Sequence, residues 1–464
     1  MSRIVPVGQA VTIVVRNSYP KNSTGRLSVT KKNNQVVELT SWRNRGTYCE
    51  FVVPGSLITE ADTPLTVKCY VNDNVVKVEE IDVTHVAAPA STVIQYGLPA
   101  YAGTRTRPYD ATRHVYGATD EIKQSVRAAM GHALAGSALV PILCVGDSET
   151  AGYRAAPGVD DPVIATRNQL KAAGFPITGS WIYPANGTTT DARVTFSGTW
   201  SGKTSTTSNY VYATAQNAYV QFAPDQTGTV VELTVFSTST QNIDYSIDGA
   251  TAVTVSCVAG AVRKFSVTGL SNSTHTIRVT KTAAGGTLWV GPARVRATTG
   301  VSVTNAGIFG ALSSDWLPTA GSGVYFNPYN LSVALETPKI VIIGLGANEA
   351  LNAGQGTPAQ VTTRLTALVQ AYQTLGSVVI LKTYPSPADS IVTAANAGYV
   401  WADYAKAIYD VADAKGVMVI DHTAAMGSNT LQKAQGLAHS DSIHPLAPGY
   451  AVVGRRDAQA LLLP

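Results

Sequence analysis

Charge is in short supply in this chain. Charged residues make up 14% of its 464 residues and the net charge is only +4. Spread over that length, they leave no basic patch of the kind nucleic acid requires, so no nucleic-acid partner is expected. Cysteine is also sparse: Cys49, Cys69, Cys144 and Cys257 lie far apart with no C-x-x-C pair, which argues against a zinc site or a disulfide framework. Cys49 and Cys69 fall on neighbouring strand-like runs and are close enough in sequence to pair, but buried free thiols are the expected state. No stretch reaches the ~18 apolar residues that span a bilayer. The amino terminus, MSRIVPVGQAVTIVV, lacks the apolar core and small-residue cleavage site of a secretion signal. What the chain has instead is Thr, Ser, Val, Ala, Gly and Asn, the leaning of β-rich extracellular or virion proteins. An extracellular or virion-associated location is therefore expected, reached by a route other than a signal peptide or after removal of one.

The length suggests roughly two to four domains. Residues 1–88 alternate apolar and polar in short runs such as VTIVV, GRLSVT and LTVKCYV, divided by Asn, Gly and Pro turns, and read as a small β-sandwich. They hold no ionisable cluster, so attachment to a virion or cell surface, or spacing, is the expected role. Residues 89–135 read as a Pro/Gly/Thr-rich linker followed by a helix from about Thr119 to Leu134. Residues 136–186 begin an α/β pattern, with a buried strand, a polar tip and a helix at Asp161–Ala173 that has Pro near its start and Gly174 after its end. Residues 187–299 turn β-like and read as an inserted sandwich whose aromatics, Trp200, Tyr210, Tyr212, Tyr219, Phe222 and Trp289, are expected in its core. From 300 to 464 strand and helix alternate again. Continuously apolar strands joined by helices predict a parallel sheet covered on both faces, a three-layer α/β/α domain of flavodoxin-like type.

Four polar tips end strands in that pattern: Gly146-Asp147-Ser148, Asn305 to Gly310, Gly346-Ala347-Asn348-Glu349, and the turn Asp441-Ser442-Ile443-His444. With a strand order of 2-1-3-4-5, the first and third strands flank the switch point and their tips face one crevice. The residue types suit acyl transfer. A neutral serine needs a base, and His444 is the candidate to take the Ser148 proton. Asp441, three residues earlier, can hold the other imidazole nitrogen. The backbone N–H groups of Ser148 and Gly310 and the side-chain amide of Asn348 can form an oxyanion hole, with Gly307 an alternative to Gly310 in the same turn. His439 reads as a surface bystander. Asp421 and His422 are adjacent on a strand end and point apart, and Arg154 and Glu149 are weaker candidates for touching substrate.

Gly146-Asp147-Ser148-Glu149-Thr150-Ala151-Gly152 resembles the GDSxTxG block of the SGNH (GDSL) hydrolases. Asn305 to Gly310, Gly346-Ala347-Asn348 and Asp441-Ser442-Ile443-His444-Pro445 are similar to that family's glycine, GxN and DxxHP blocks, in family order. The resemblance covers about Ala138 to Pro464 outside the insert. It implies serine-dependent ester hydrolysis with neither metal nor cofactor. Glu149 and Glu349 stand where Leu or Ile and Asp are more frequent, which touches specificity rather than the reacting groups. The stretch YSIDGA, followed by VTGLSNSTHTIRVT, resembles the jelly-roll modules of carbohydrate-active enzymes. O-acetyl groups on a polysaccharide are thus the favoured substrate. A lipid, thioester or arylester hydrolase of the same family is the alternative, and a phage or surface binding protein with marginal or no activity is a second.

Overall fold

In the computed structural model, the residues described are most of 107–462, apart from 155–159, 185–190, 203–209, 320–326 and 397, together with the strand segments between 3 and 83. The chain divides into two compact units, Met1–Ile94 and Gln95–Pro464.

In the first unit, strands Arg3–Val5, Asn74–Val83, Leu65–Val71, Gly25–Thr30 and Val36–Leu39 form one sheet in that order, and Val11–Val15, Cys49–Val53 and Trp42–Asn44 a second. Leu27, Val29, Phe51, Val53, Val67 and Cys69 are fully buried, each on the apolar phase of its strand. All but one pairing is antiparallel. Arg3–Val5 runs parallel to Ile81–Val83. The side chain of Cys49 lies outside the described residues.

The second unit is built on a seven-stranded sheet in the order Gly300–Gly307, Leu139–Gly146, Ile340–Gly344, Val378–Lys382, Met418–Ile420, Val115–Tyr116, Tyr109–Asp110, of which the first five are mutually parallel. Numbered along the chain, those five read 2-1-3-4-5. Successive side chains leave a strand on opposite faces, and the apolar runs therefore feed two cores. Leu143, Val145, Val341, Ile343, Leu381 and Val419 pack against helices Pro358–Thr374 and Trp401–Lys415. Ile142, Cys144, Val303, Ile342, Ile380 and Ile420 pack against helices Asp120–Leu134, Pro162–Ala172 and Ala447–Leu461. Three layers result, because strands apolar on both faces need cover on both sides. The helix starts carry their own signals: Thr119 and Asp161 cap with their side chains, and Thr357 forms a reciprocal capping box with Gln360. Cys144 and Cys257 are free and buried.

The end of the segment read as a linker is part of the sheet. Val115–Tyr116 pairs antiparallel with Ile420 and Val419, and Tyr109–Asp110 pairs outside it. Arg107 fastens this edge by donating to the carbonyls of Ala412, Val417 and Gly117 at 2.7–2.8 Å. Two-residue strands are too short to show a period. Most of the rest of the linker lies outside the described residues.

The insert is a sandwich of a five-stranded and a four-stranded sheet around Ile182, Val211, Phe222, Leu233, Ile243, Val279 and Val295. Trp200, Tyr210 and Phe222 are buried, Tyr212 stacks on Trp289, and Arg278 lies over the Tyr219 ring. It docks along the sheet edge formed by Gly300–Gly307. Residues 177–182 run past that edge, bridging Ile177 to Val301 and Ile182 to Ala293 of the insert. Arg294, buried, clamps the junction: it binds Glu232 at 2.6 Å and the Glu336 carboxylate at 2.7 and 3.0 Å, and its guanidinium covers the Trp181 ring. Such forked pairing fixes orientation as well as distance.

Candidate active site

The carboxyl ends of the parallel strands form a rim, and the chain crosses from one side of the Leu139–Gly146 strand to the other, which opens a crevice there. Ser148 stands at this point. Asp147 follows the strand directly and caps the short helix Ser148–Ala151, its Oδ1 accepting from the Glu149 N–H at 3.0 Å. Gly152 closes the helix at φ +83°, where its missing Cβ also admits Asp161.

Ser148 Oγ lies 2.9 Å from His444 Nε2, and His444 Nδ1 lies 3.0 Å from Asp441 Oδ2. The turn that carries both Asp441 and His444 is tightly determined. Asp441 Oδ1 accepts from the Ile443 and His444 backbone N–H groups, both at 3.0 Å, the local bond an Asp makes two or three residues ahead. Ser442 sits at φ +64°, a strained conformation for a non-glycine residue, and its carbonyl is held by Ala388 N and Asn429 Nδ2. Burial alone would raise the Asp441 carboxyl, but the His444 N–H, the His444 imidazole and the Ile443 N–H hold it down at about 2. Burial pushes the His444 imidazole below its ordinary value, outweighing the upward pull of Asp441.

Across the pocket stand Gly310 and Asn348. Asn348 is the second residue of helix Ala347–Leu351, and one of its amide hydrogens goes to the Ala311 carbonyl at 3.0 Å, which sets the amide plane and leaves the other hydrogen available. Asn352 Nδ2 binds the Asn348 carbonyl at 3.0 Å. Gly310 lines the pocket at φ +73°, with open space where a Cβ would stand, so it is conformation that calls for glycine there. Gly307, the alternative donor, is used otherwise. Its N–H goes to Asn305 Oδ1 at 3.0 Å, and a Cβ on it would meet the Ala151 backbone N at 2.2 Å.

The pocket has a volume of about 270 Å³ and is lined by Ser148, Tyr153, Phe309, Gly310, Asn348, Leu351, Asn352, Ile443 and His444. Tyr153 packs edge-on against both Phe309 and His444, at centroid distances of 5.0 and 4.7 Å. Tyr153, Phe309, Leu351 and Ile443 carry no motif signal, since an apolar residue in a loop looks like core until the fold is known. None of these lining residues belongs to the insert.

The weaker candidates do not line the pocket. Glu149 is buried under the helix, where burial and then the neighbouring Asp147 keep its carboxyl well above the usual range. Glu349 turns away from the pocket, accepting from Ser313 N at 2.6 Å and from the Ser313 hydroxyl. His422 pairs with Asp457 at 2.9 Å rather than with Asp421, which caps its own helix. Arg154 lies over the Tyr153 ring with Nε 3.5 Å from Asp441 Oδ2. His439, read as a bystander, touches the Asp441 carboxylate at 3.1 Å. Among the described residues no group of three or more His, Cys, Asp or Glu has the arrangement to hold a metal ion, and no helix is long and apolar enough to cross a membrane.

Residues 273–452 match the model of the GDSL-like Lipase/Acylhydrolase family. The match takes in the glycine, Asn348 and Asp441–His444 blocks and omits the serine block, from which the insert separates it. Among solved structures, a peptidoglycan O-acetylesterase is similar over 76% of this chain and 97% of its own, at 19% identity and a TM-score of 0.56. A carbohydrate esterase family 2 enzyme with a carbohydrate binding domain from Corynascus thermopiles (Myceliophthora fergusii) is similar over 61% and 98%, at 16% identity and a TM-score of 0.28. A lipase/acylhydrolase from Enterococcus faecalis is similar over 35% and 75%, at 24% identity and a TM-score of 0.29. No curated protein matches the chain.

Proposed function

Because the chain carries a GDSL-like acylhydrolase domain of the SGNH type, we propose that it is a serine esterase acting through Ser148, His444 and Asp441, with O-acetyl groups on a polysaccharide as its substrate. The observation that carries this reading is the continuous line from Ser148 Oγ through His444 to Asp441 facing Gly310 and Asn348 across one pocket. His444 Nε2 takes the serine proton as Oγ attacks the ester carbonyl. Asp441 keeps the imidazole in the tautomer with hydrogen on Nδ1 and balances the imidazolium. The negative charge that develops on the carbonyl oxygen is met by the Ser148 and Gly310 N–H groups and the Asn348 amide. His444 then returns the proton to the departing alkoxide, and a water repeats the sequence on the acyl-serine.

The fold likeness to a peptidoglycan O-acetylesterase and the attached sandwich support the acetylated polymer. A specific observation favours a second reading: a 270 Å³ pocket with Tyr153, Phe309, Leu351 and Ile443 on its wall is roomier and more apolar than a two-carbon acyl group needs. The test is acetate release from a panel of acetylated polysaccharides beside a series of aryl esters. Highest turnover at acetyl supports deacetylation, and a rate rising from acetyl to octanoyl overturns it in favour of a longer-chain acylhydrolase. The same reading gives the Met1–Ile94 unit a role in attachment to a virion or cell surface.

Two expectations follow from the geometry. Asn348→Ala removes one of three oxyanion donors and is expected to lower kcat about 100- to 1,000-fold with little change in KM, read with a saturable aryl acetate. The base must be neutral to work, and burial depresses the His444 imidazole. The acid limb of kcat/KM is therefore expected to lie below the ~6.5 of an ordinary imidazole, as a pH–rate profile will measure.

A further inference from the structure

Asp441 is approached by a second histidine. His439 Nδ1 accepts from the Asp441 backbone N–H at 3.1 Å and stands 3.1 Å from Asp441 Oδ2, the oxygen that also faces His444 Nδ1. His439 and His444 are the two ends of one closed turn: the His439 N–H donates to the His444 carbonyl at 2.8 Å, the Ser442 N–H to the His439 carbonyl at 3.2 Å, and Ala438 bridges to Pro445. We infer that His439 is a positioning residue for the Ser148–His444–Asp441 line, its Nδ1 accepting from the Asp441 backbone N–H and so fixing the residue that orients the base. The inference rests on the esterase reading above.

The two contacts of Nδ1 require different protonation states. A neutral imidazole with its hydrogen on Nε2 offers Nδ1 as a lone pair to the Asp441 N–H and so pins the residue that orients the base. A protonated imidazole has a hydrogen on Nδ1, gives up that bond and donates to Oδ2. Asp441 then divides its charge between two imidazoles, and His444 loses part of the partner that stabilises its own cation. Two other charged groups lie at this turn: Arg154 reaches Oδ2 from the serine side at 3.5 Å, and Lys433, from helix Asn429–Ala434, binds Ser442 Oγ and the Ser440 carbonyl. The positive charge of His439 and of Arg154 both lower the proton affinity of His444.

The test uses His439→Asn, which keeps an acceptor near the Nδ1 position but cannot gain a proton, and His439→Ala, which keeps neither. At pH 8 and above, kcat on an aryl acetate is expected to fall about 10-fold in His439→Ala, with KM unchanged, and to stay within about threefold of the parent in His439→Asn, in line with an interaction that orients rather than reacts. In both variants the acid limb of kcat/KM moves to higher pH by about half a unit, because the His439 ring no longer lowers the proton affinity of His444. The titration of the His444 ring, followed by NMR in the resting protein, reports the same shift without any turnover. A His444 midpoint unchanged in both variants overturns the inference, as does full kcat in His439→Ala. If the midpoint shifts while neither the parent nor the variants cleave any ester, the coupling stands and the esterase reading falls.

Discussion

Ser148→Ala is expected to reduce hydrolysis of a short-chain aryl acetate by about 10⁶ in kcat, the scale on which a serine hydrolase responds to loss of its nucleophile. The residual rate is not zero in principle, because the oxyanion donors and the binding surface persist and by themselves leave roughly 10³- to 10⁴-fold catalysis over water. The substitution is mild for the fold. The Ser148 side chain bonds only to His444 among the described residues, and the N-terminal cap of its helix is the Asp147 carboxylate, which is untouched. The variant is expected to melt at the parent temperature, so a lost rate cannot be put down to unfolding. An activity-based organophosphonate gives an independent reading: it adds one equivalent of mass to the parent and none to Ser148→Ala. Equal rates in the two proteins would sink the serine mechanism.

The parts of the molecule that were legible in the sequence are those whose signal is local. The sheet strands announce themselves as runs buried on both faces, such as Val140 to Val145 and Ile340 to Ile343. The long helices are punctuated by Asp161-Pro162, Thr357-Pro358 and Gly416. The four polar tips were visible because each follows a strand or turn whose apolar context makes the polarity conspicuous. What escaped was set at a distance. The edge strand Val115–Tyr116 exists only because Met418–Ile420 offers it a ladder. The docking of the insert depends on Arg294 meeting Glu336 and Glu232, residues tens of positions apart. His439 reads as a bystander because a histidine five residues before the base is more often surface loop, and its direction is set only when the turn closes at Pro445. Its spacing from Asp441 and His444 was the available signal. The choice between Gly307 and Gly310 needed the hydrogen bond from Gly307 to Asn305.

Asp441→Asn separates orientation from charge. The asparagine keeps an oxygen for the Ile443 and His444 backbone N–H groups, both of which bind Oδ1 of the native aspartate at 3.0 Å, so the turn at Ser442 is retained. Facing His444 Nδ1, however, the variant presents an NH₂ group where the carboxylate offered an acceptor. Nδ1 must then carry the lone pair, the hydrogen moves to Nε2, and Nε2 points a donor at Ser148 Oγ, 2.9 Å away. The base is lost by tautomer. The imidazolium also loses the anion that stabilises it, an anion held at about 2 and therefore fully ionised at any pH at which the protein would work. The expected result is a fall of about 10⁴ in kcat, as for the same exchange in a serine protease triad, with substrate binding little altered because Asp441 is not among the pocket-lining residues. Raising the pH cannot restore the rate, since an amide does not ionise. A variant within threefold of the parent would show that His444 needs no carboxylate, leaving Ser148 and His444 as a dyad and removing the premise on which His439 acts.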